Sequence, residues 1–85
     1  MTDWWEGFEP VHGPVPRYRQ VAAFIRQAVD GGRLKRGAAL PTESQLSDYM
    51  GVSVDTVRAA LALLREEEIV VTSQGIGSFI SGEGT

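Results

Sequence analysis

Four side chains within residues 53–58 carry groups that recognise a hydrogen-bonded partner: Ser53, Asp55, Thr56 and Arg58. Small hydroxyl residues let a backbone come close to a flat surface. A guanidinium reaches a phosphate or the paired acceptors of a guanine edge, and a carboxylate accepts from a cytosine amino group. This set suits recognition more than covalent chemistry. Cys is absent and the one histidine, His12, lies in a Gly/Pro-rich stretch, which excludes thiolate sites and His clusters as metal centres. No nucleophile–base pair is readable, so neither enzyme activity nor a cofactor is expected. Gly75 and Gly77 sit in a turn between two strand-like segments, so they are no phosphate loop, which opens a helix. Each recognition residue also has a plain structural role. Ser53 is a helix N-cap, and Asp55 is favourable charge in a first turn.

The elements that position these residues are legible in the spacing. Tyr18, Val21, Ala22, Ile25, Ala28 and Val29 recur at helical intervals over Arg17–Asp30, with Pro16 near the first turn and Gly31-Gly32 at the end. Thr42 and Gln45 form a capping box for a second helix of about eight residues, with Glu43 in its first turn. Leu46, Tyr49 and Met50 are its expected buried side, and Gly51 its left-handed terminator. Ser53 caps a third helix with the stripe Val57, Ala60, Leu61 and Leu64. After Glu66-Glu67-Glu68 come β-branched Ile69–Ser73, a turn at Gln74–Gly77 and a second strand at Ser78–Ser81. A further short strand is expected at Ala38–Leu40. The spacing predicts a mainly α domain with a small β-hairpin: three helices plus a wing. Residues 1–15 form an aromatic, acidic tail and 16–81 the winged helix-turn-helix domain. The helix-turn-helix covers about 42–65, the wing about 69–81, and 82–85 is a frayed end.

At 85 residues the chain holds one small domain. It has no apolar run long enough to span a membrane, and no secretory signal is expected. Net charge is −3, which by itself argues against nucleic acid. The distribution argues otherwise, since Arg17, Arg19, Arg26, Arg33, Lys35 and Arg36 face only Asp30 within residues 17–40.

A short helix bracing the next one is the helix-turn-helix pattern, in which the second helix enters the major groove N-terminus first. The residues that build it here carry a specific resemblance. The segments G-x-x-LPTES-x-L, GVS-x-x-TVR-x-AL-x-L and QG-x-G-S-F-I, in this order over residues 16–80, resemble the DNA-binding domain of the GntR family of bacterial transcriptional regulators. The resemblance implies a sequence-specific regulator of double-stranded DNA, acting as a repressor by occlusion in the bacterial cytoplasm. It implies DNA contacts at Thr42, Ser44, Ser53, Val54, Asp55, Thr56, Arg58, Gln74 and Gly75. Several family cations are missing: Ser44, Val54 and Ile76 stand where members usually carry Arg or Lys, and Thr72 and Ser73 where basic residues are frequent. Binding weaker than the family norm is expected, or reliance on Arg17, Arg19, Arg33, Lys35 and Arg36.

GntR-type regulators usually add a C-terminal domain that binds an effector and forms the dimer, and none is readable here. The expectation is either a stand-alone small regulator, which the aromatic tail favours, or a piece of a longer chain. Trp4, Trp5 and Phe8 are costly to leave in water and are the expected contact of a homodimer. The competing expectation is that they fold back as a brace on their own helices. The alternative function is a winged helix used as a protein-interaction module, supported by the acidic run at 66–68 and the missing arginines.

Overall fold

The computed structural model describes residues 3–82. Of the expected frayed end, 82–85, only Gly82 falls within that range. Helix α1 spans Arg17–Asp30, α2 Glu43–Met50 and α3 Val54–Glu66. Strands β1 (Val70–Ser73) and β2 (Gly77–Ile80) form an antiparallel hairpin with Val70 opposite Ile80 and Ser73 opposite Gly77. Three helices and a hairpin make a winged helix.

Each helix end follows from its local residues. Thr42 Oγ1 accepts from the Gln45 N–H at 3.1 Å, and Gln45 Oε1 accepts from the Thr42 N–H at 3.0 Å, so the capping box is closed. Gly51 ends α2 at φ 68°, a left-handed conformation that costs a Cβ-bearing residue. The chain then turns straight into α3, where Ser53 Oγ accepts from the Thr56 N–H at 3.1 Å. The end of α3 has the same geometry as that of α2 without the glycine: Glu68 stands at φ 62°, and the Ile69 N–H reaches back to the Leu64 carbonyl at 2.9 Å.

One core lies between the helices and the hairpin. α1 contributes Val21, Ala22, Ile25 and Ala28, α2 Leu46 and Met50, and α3 Val57, Ala60, Leu61 and Leu64. Leu34, Leu40, Val52, Val70 and Ile80 close it from the loops and the wing. Tyr49, expected on the buried side of α2, is instead 43% exposed. Only one face of an eight-residue helix meets the core, and Leu46 and Met50 fill it.

The wing is broader than a hairpin. Ala39 bridges Phe79, the Leu40 N–H donates to the Ser78 carbonyl and the Ile80 N–H to the Ala38 carbonyl. The expected strand at Ala38–Leu40 is thus a single bridge against β2, and it delivers the chain directly to the Thr42 cap. The second strand begins one residue before the expected Ser78 and ends at Ile80. Ser81 lies beyond it, buried, its N–H on the Ile69 carbonyl at 2.8 Å.

The tail lies on the domain. Trp5 stacks on Tyr49 with ring centroids 4.4 Å apart, Trp4 meets Trp5 edge-on at 5.5 Å, and Phe8 meets Phe24 edge-on at 5.2 Å. Gln20 of α1 pins the loop between: its Nε2 donates to the Val11 and Val15 carbonyls, and its Oε1 accepts from the Val11 N–H. Arg26 holds the far end of α1 against α3 through Glu67 at 2.7 Å.

The left-handed Glu68 yields a stability prediction. A side chain in that region costs about 1 kcal/mol that glycine avoids. Glu68→Gly is expected to raise stability by about 1 kcal/mol, hence Tm by roughly 4–8 °C. Thermal unfolding followed by circular dichroism measures it; an unchanged or lower Tm refutes it.

Candidate nucleic-acid interface

Burial of the α3 stripe dictates what the opposite face displays. Asp55, Arg58, Ala62 and Arg65 follow one another at helical spacing, and all four are exposed. Ala62 leaves the middle of this row flat, so a partner can approach closely. Ser53, also exposed, lies at its N-terminal edge beside half-buried Thr56. Ser53 Oγ donates to Thr56 Oγ1 at 2.9 Å, which leaves the Thr56 hydroxyl hydrogen available to an outside acceptor.

α2 meets this row at one end. Arg58 Nε donates to Glu43 Oε1 at 2.9 Å, and Arg58 Nη1 lies 3.7 Å from Asp55 Oδ1. The first distance is a hydrogen bond; the second is an ion-pair contact only. The hydrogen bond to Glu43, and then the Glu43 charge, raises the Arg58 pKa above its ordinary value; an arginine is charged at any working pH in either case. Exposed ion pairs contribute little to stability. Their effect here is on where the guanidinium points and what net charge surrounds it.

The wing meets the row at the other end. Arg65 Nη1 donates to Thr72 Oγ1 at 3.2 Å, and Thr72 Oγ1 lies 3.1 Å from Ser78 Oγ. The turn at the tip holds Gln74, Gly75 and Ile76, all exposed, with Gly75 at φ 82°. Such a backbone lets this three-residue turn close the hairpin. Ile76 borders the cleft that Thr42 and Glu43 line from α2. From Val70 to Ile80 the wing carries no charged residue.

The residues singled out from sequence therefore divide. Ser53, Asp55, Thr56 and Arg58 lie on the cap and first turns of α3, and Thr42 caps α2, whose first-turn Glu43 reaches Arg58. Ser44 is exposed on the first turn of α2, whereas Val54 is half-buried at the start of α3. Gln74 and Gly75 stand apart on the wing. Two residues were not singled out for this surface. Arg65 continues the row seven residues beyond Arg58, a periodicity present in the sequence. Glu43 was read only as a favourable charge at a helix start; its partner is fifteen residues away on another helix, and no spacing rule reveals it.

Among the described residues no group of three or more His, Asp and Glu side chains could hold a metal ion, and no helix is long and apolar enough to cross a membrane.

Comparison with known proteins gives a consistent answer. The model of the family described as bacterial regulatory proteins, gntR family, matches residues 17–80. The chain is 48% identical over 71 residues to the mannosyl-D-glycerate transport/metabolism system repressor MngR of Escherichia coli (strain K12), covering 84% of this chain and 30% of that protein. It is 42% identical over 66 residues to the HTH-type transcriptional regulator GgaR of the same strain, covering 78% of this chain and 27% of that protein. The chain thus spans under a third of the length of these curated relatives. Among solved structures, AraR(DBD) in complex with operator ORX1 matches with a TM-score of 0.77 at 30% identity, over 84% of this chain and 92% of that one. YtrA from Sulfolobus acidocaldarius, a GntR-family transcription factor, matches with a TM-score of 0.82 at 28% identity, over 91% of this chain and 82% of that one. The motifs, the winged helix and a family match running from the first residue of α1 to the last of β2 agree: the chain belongs to the GntR family of bacterial regulatory proteins.

Proposed function

We propose that this chain is a sequence-specific DNA-binding unit of a transcriptional regulator that represses by occluding its site in the bacterial cytoplasm. The observation that carries this reading is the exposed α3 row, framed by α2 and the wing, on a fold similar to an operator-bound domain. α3 enters the major groove N-terminus first, and the wing tip lies over the neighbouring minor groove or backbone. Thr56, Asp55 and Arg58 discriminate bases. Thr42, Ser44 and Ser53 approach the backbone with hydroxyls and helix-terminal N–H groups, and Gln74 and Gly75 do so from the wing. Cation supply is sparse at this surface, with Arg58 already paired and the wing neutral. The cationic stretch around Arg33, Lys35 and Arg36 precedes the bridge to the wing and supplies long-range attraction.

The test is selection of sequences from a randomised duplex pool at low salt, followed by fluorescence anisotropy. Enrichment of a common motif is the expected outcome. Binding to no duplex at all overturns the reading in favour of a protein-interaction module. A second measurement addresses the missing cations. Val54→Arg combined with Ser44→Arg is expected to tighten binding to the unselected pool and to steepen the fall of log affinity with log salt by roughly one unit or more. No gain at low salt means that these two positions face away from DNA.

We read the tail as an intramolecular brace. What supports this is that Trp5 and Phe8 already have partners in Tyr49 and Phe24 of the same chain. A homodimer through Trp4, Trp5 and Phe8 would have to use the faces that these contacts leave open. Sedimentation equilibrium decides between them. A concentration-independent monomer up to about 1 mM, the weak-association limit, is the expected result, and a dimer lost on removal of residues 1–12 refutes it.

A further inference from the structure

Arg58 is the one cation of α3 placed among its N-terminal recognition residues, and it is flanked by two carboxylates from two different helices. Glu43 Oε1 takes the Nε hydrogen at 2.9 Å, and Asp55 Oδ1 sits 3.7 Å from Nη1. The three groups carry one positive and two negative charges, so the cluster is net negative. All three are open to a partner, with side-chain exposures of 62% for Arg58, 40% for Glu43 and 93% for Asp55. No described residue accepts a hydrogen from either Nη atom.

This geometry bears on two kinds of contact differently. A phosphate is held by net charge, and a net-negative cluster meets it with repulsion that offsets the guanidinium. A guanine edge is uncharged, and it is held by two donors aligned with O6 and N7. Glu43 ties up Nε, the donor that would serve a sideways grip. The two Nη groups then remain as an end-on fork. A hydrogen bond from a neighbouring helix also limits the rotamers of a long, exposed side chain, so less freedom is lost when the base is engaged.

We propose that Glu43 is a positioning and specificity-determining residue, which with Asp55 cancels the attraction of Arg58 for phosphate and presents its Nη fork to a guanine edge. This rests on the DNA-binding reading above. Glu43 acts through Arg58 and touches no base itself. Asp55 lies beside the fork, where it can accept from the amino group of a cytosine next to that guanine. The pair of side chains then reads two base pairs while adding no net attraction for the backbone. The consequence runs against ordinary expectation: removing an acid from the interface makes the protein bind DNA more tightly in general and less selectively.

The experiment compares wild type, Glu43→Gln, Glu43→Asp and Arg58→Ala by fluorescence anisotropy across a salt series. The two probes are the duplex enriched from the randomised pool and the unselected pool. Glu43→Gln removes the charge and is expected to raise affinity for the pool while lowering the selected-to-pool ratio about tenfold. Glu43→Asp keeps the charge but withdraws the carboxylate by one methylene, and is expected to lower the ratio without the gain on the pool. Arg58→Ala is expected to lower affinity for the selected duplex by about tenfold to a hundredfold, the range for a lost bidentate base contact, with no flattening of the salt slope. Thermal unfolding of each variant reports folding separately. If Arg58→Ala weakens both probes equally and reduces the salt slope by about one, Arg58 is a phosphate anchor and the proposal falls, while the DNA-binding reading stands. A Glu43→Gln variant with an unchanged ratio likewise overturns it alone. Failure of wild type to bind either probe overturns the DNA-binding reading as well.

Discussion

The apolar stripe of α3, Val57, Ala60, Leu61 and Leu64, is fully or almost fully withdrawn from water, and the rest of the domain is arranged to make that possible. Burying each of the larger aliphatic side chains contributes roughly 1.5–3 kcal/mol, a large share of what holds a domain of this size together. α1 covers the stripe with Val21, Ala22, Ile25 and Ala28, α2 with Leu46 and Met50, and the wing with Val70 and Ile80. Because the stripe cannot rotate away from them, the row Asp55, Arg58, Ala62 and Arg65 cannot rotate away from solvent. The orientation of this exposed row is thus a product of core packing.

α2 is the weakest member of that arrangement and is held by the most varied means. Eight residues are too few for an isolated helix. Its start is fixed by the reciprocal Thr42–Gln45 bonds and its end by Gly51. On its outer face Trp5 stacks on Tyr49, and the Ser47 hydroxyl bonds the Val52 carbonyl across the turn into α3. Glu43 adds a link from its first turn to Arg58. One carboxylate thereby meets two demands, complementing the helix dipole and fixing a side chain of the next helix.

Charge is unevenly placed along the chain. Most cations fall in residues 17–40, whereas the wing has none and the α3 N-terminus has one that is already paired. Arg26 is taken by Glu67, which ties the acidic run after α3 back onto α1. Arg33 lies over Phe24 at 5.6 Å, the ring that also receives Phe8 of the tail. On the DNA-binding reading proposed above, an interface built this way would draw little affinity from phosphate neutralisation and leave more of it to hydrogen bonds and shape.

The elements and their caps are legible in the residues alone. The stripes of α1 and α3, the Thr42–Gln45 box, Gly51, the Ser53 cap and the hairpin turn are local patterns, and local patterns are written in residues a few positions apart. The motifs over residues 16–80 likewise carried the family. What lies across the fold is visible only once the chain is folded. Glu43 meets Arg58, Arg65 meets Thr72, Ala39 pairs with Phe79, and Trp5 rests on Tyr49. These partners are separated by between 7 and 44 residues and lie in different elements, so no single helical or strand period links them. Tyr49 shows the reason most clearly. Helical spacing marks it as apolar and inward, yet one turn of a short helix has room for only Leu46 and Met50 in the core. Its ring is covered instead by a tail whose own sequence, broken by Gly and Pro, has no period from which that contact could be read.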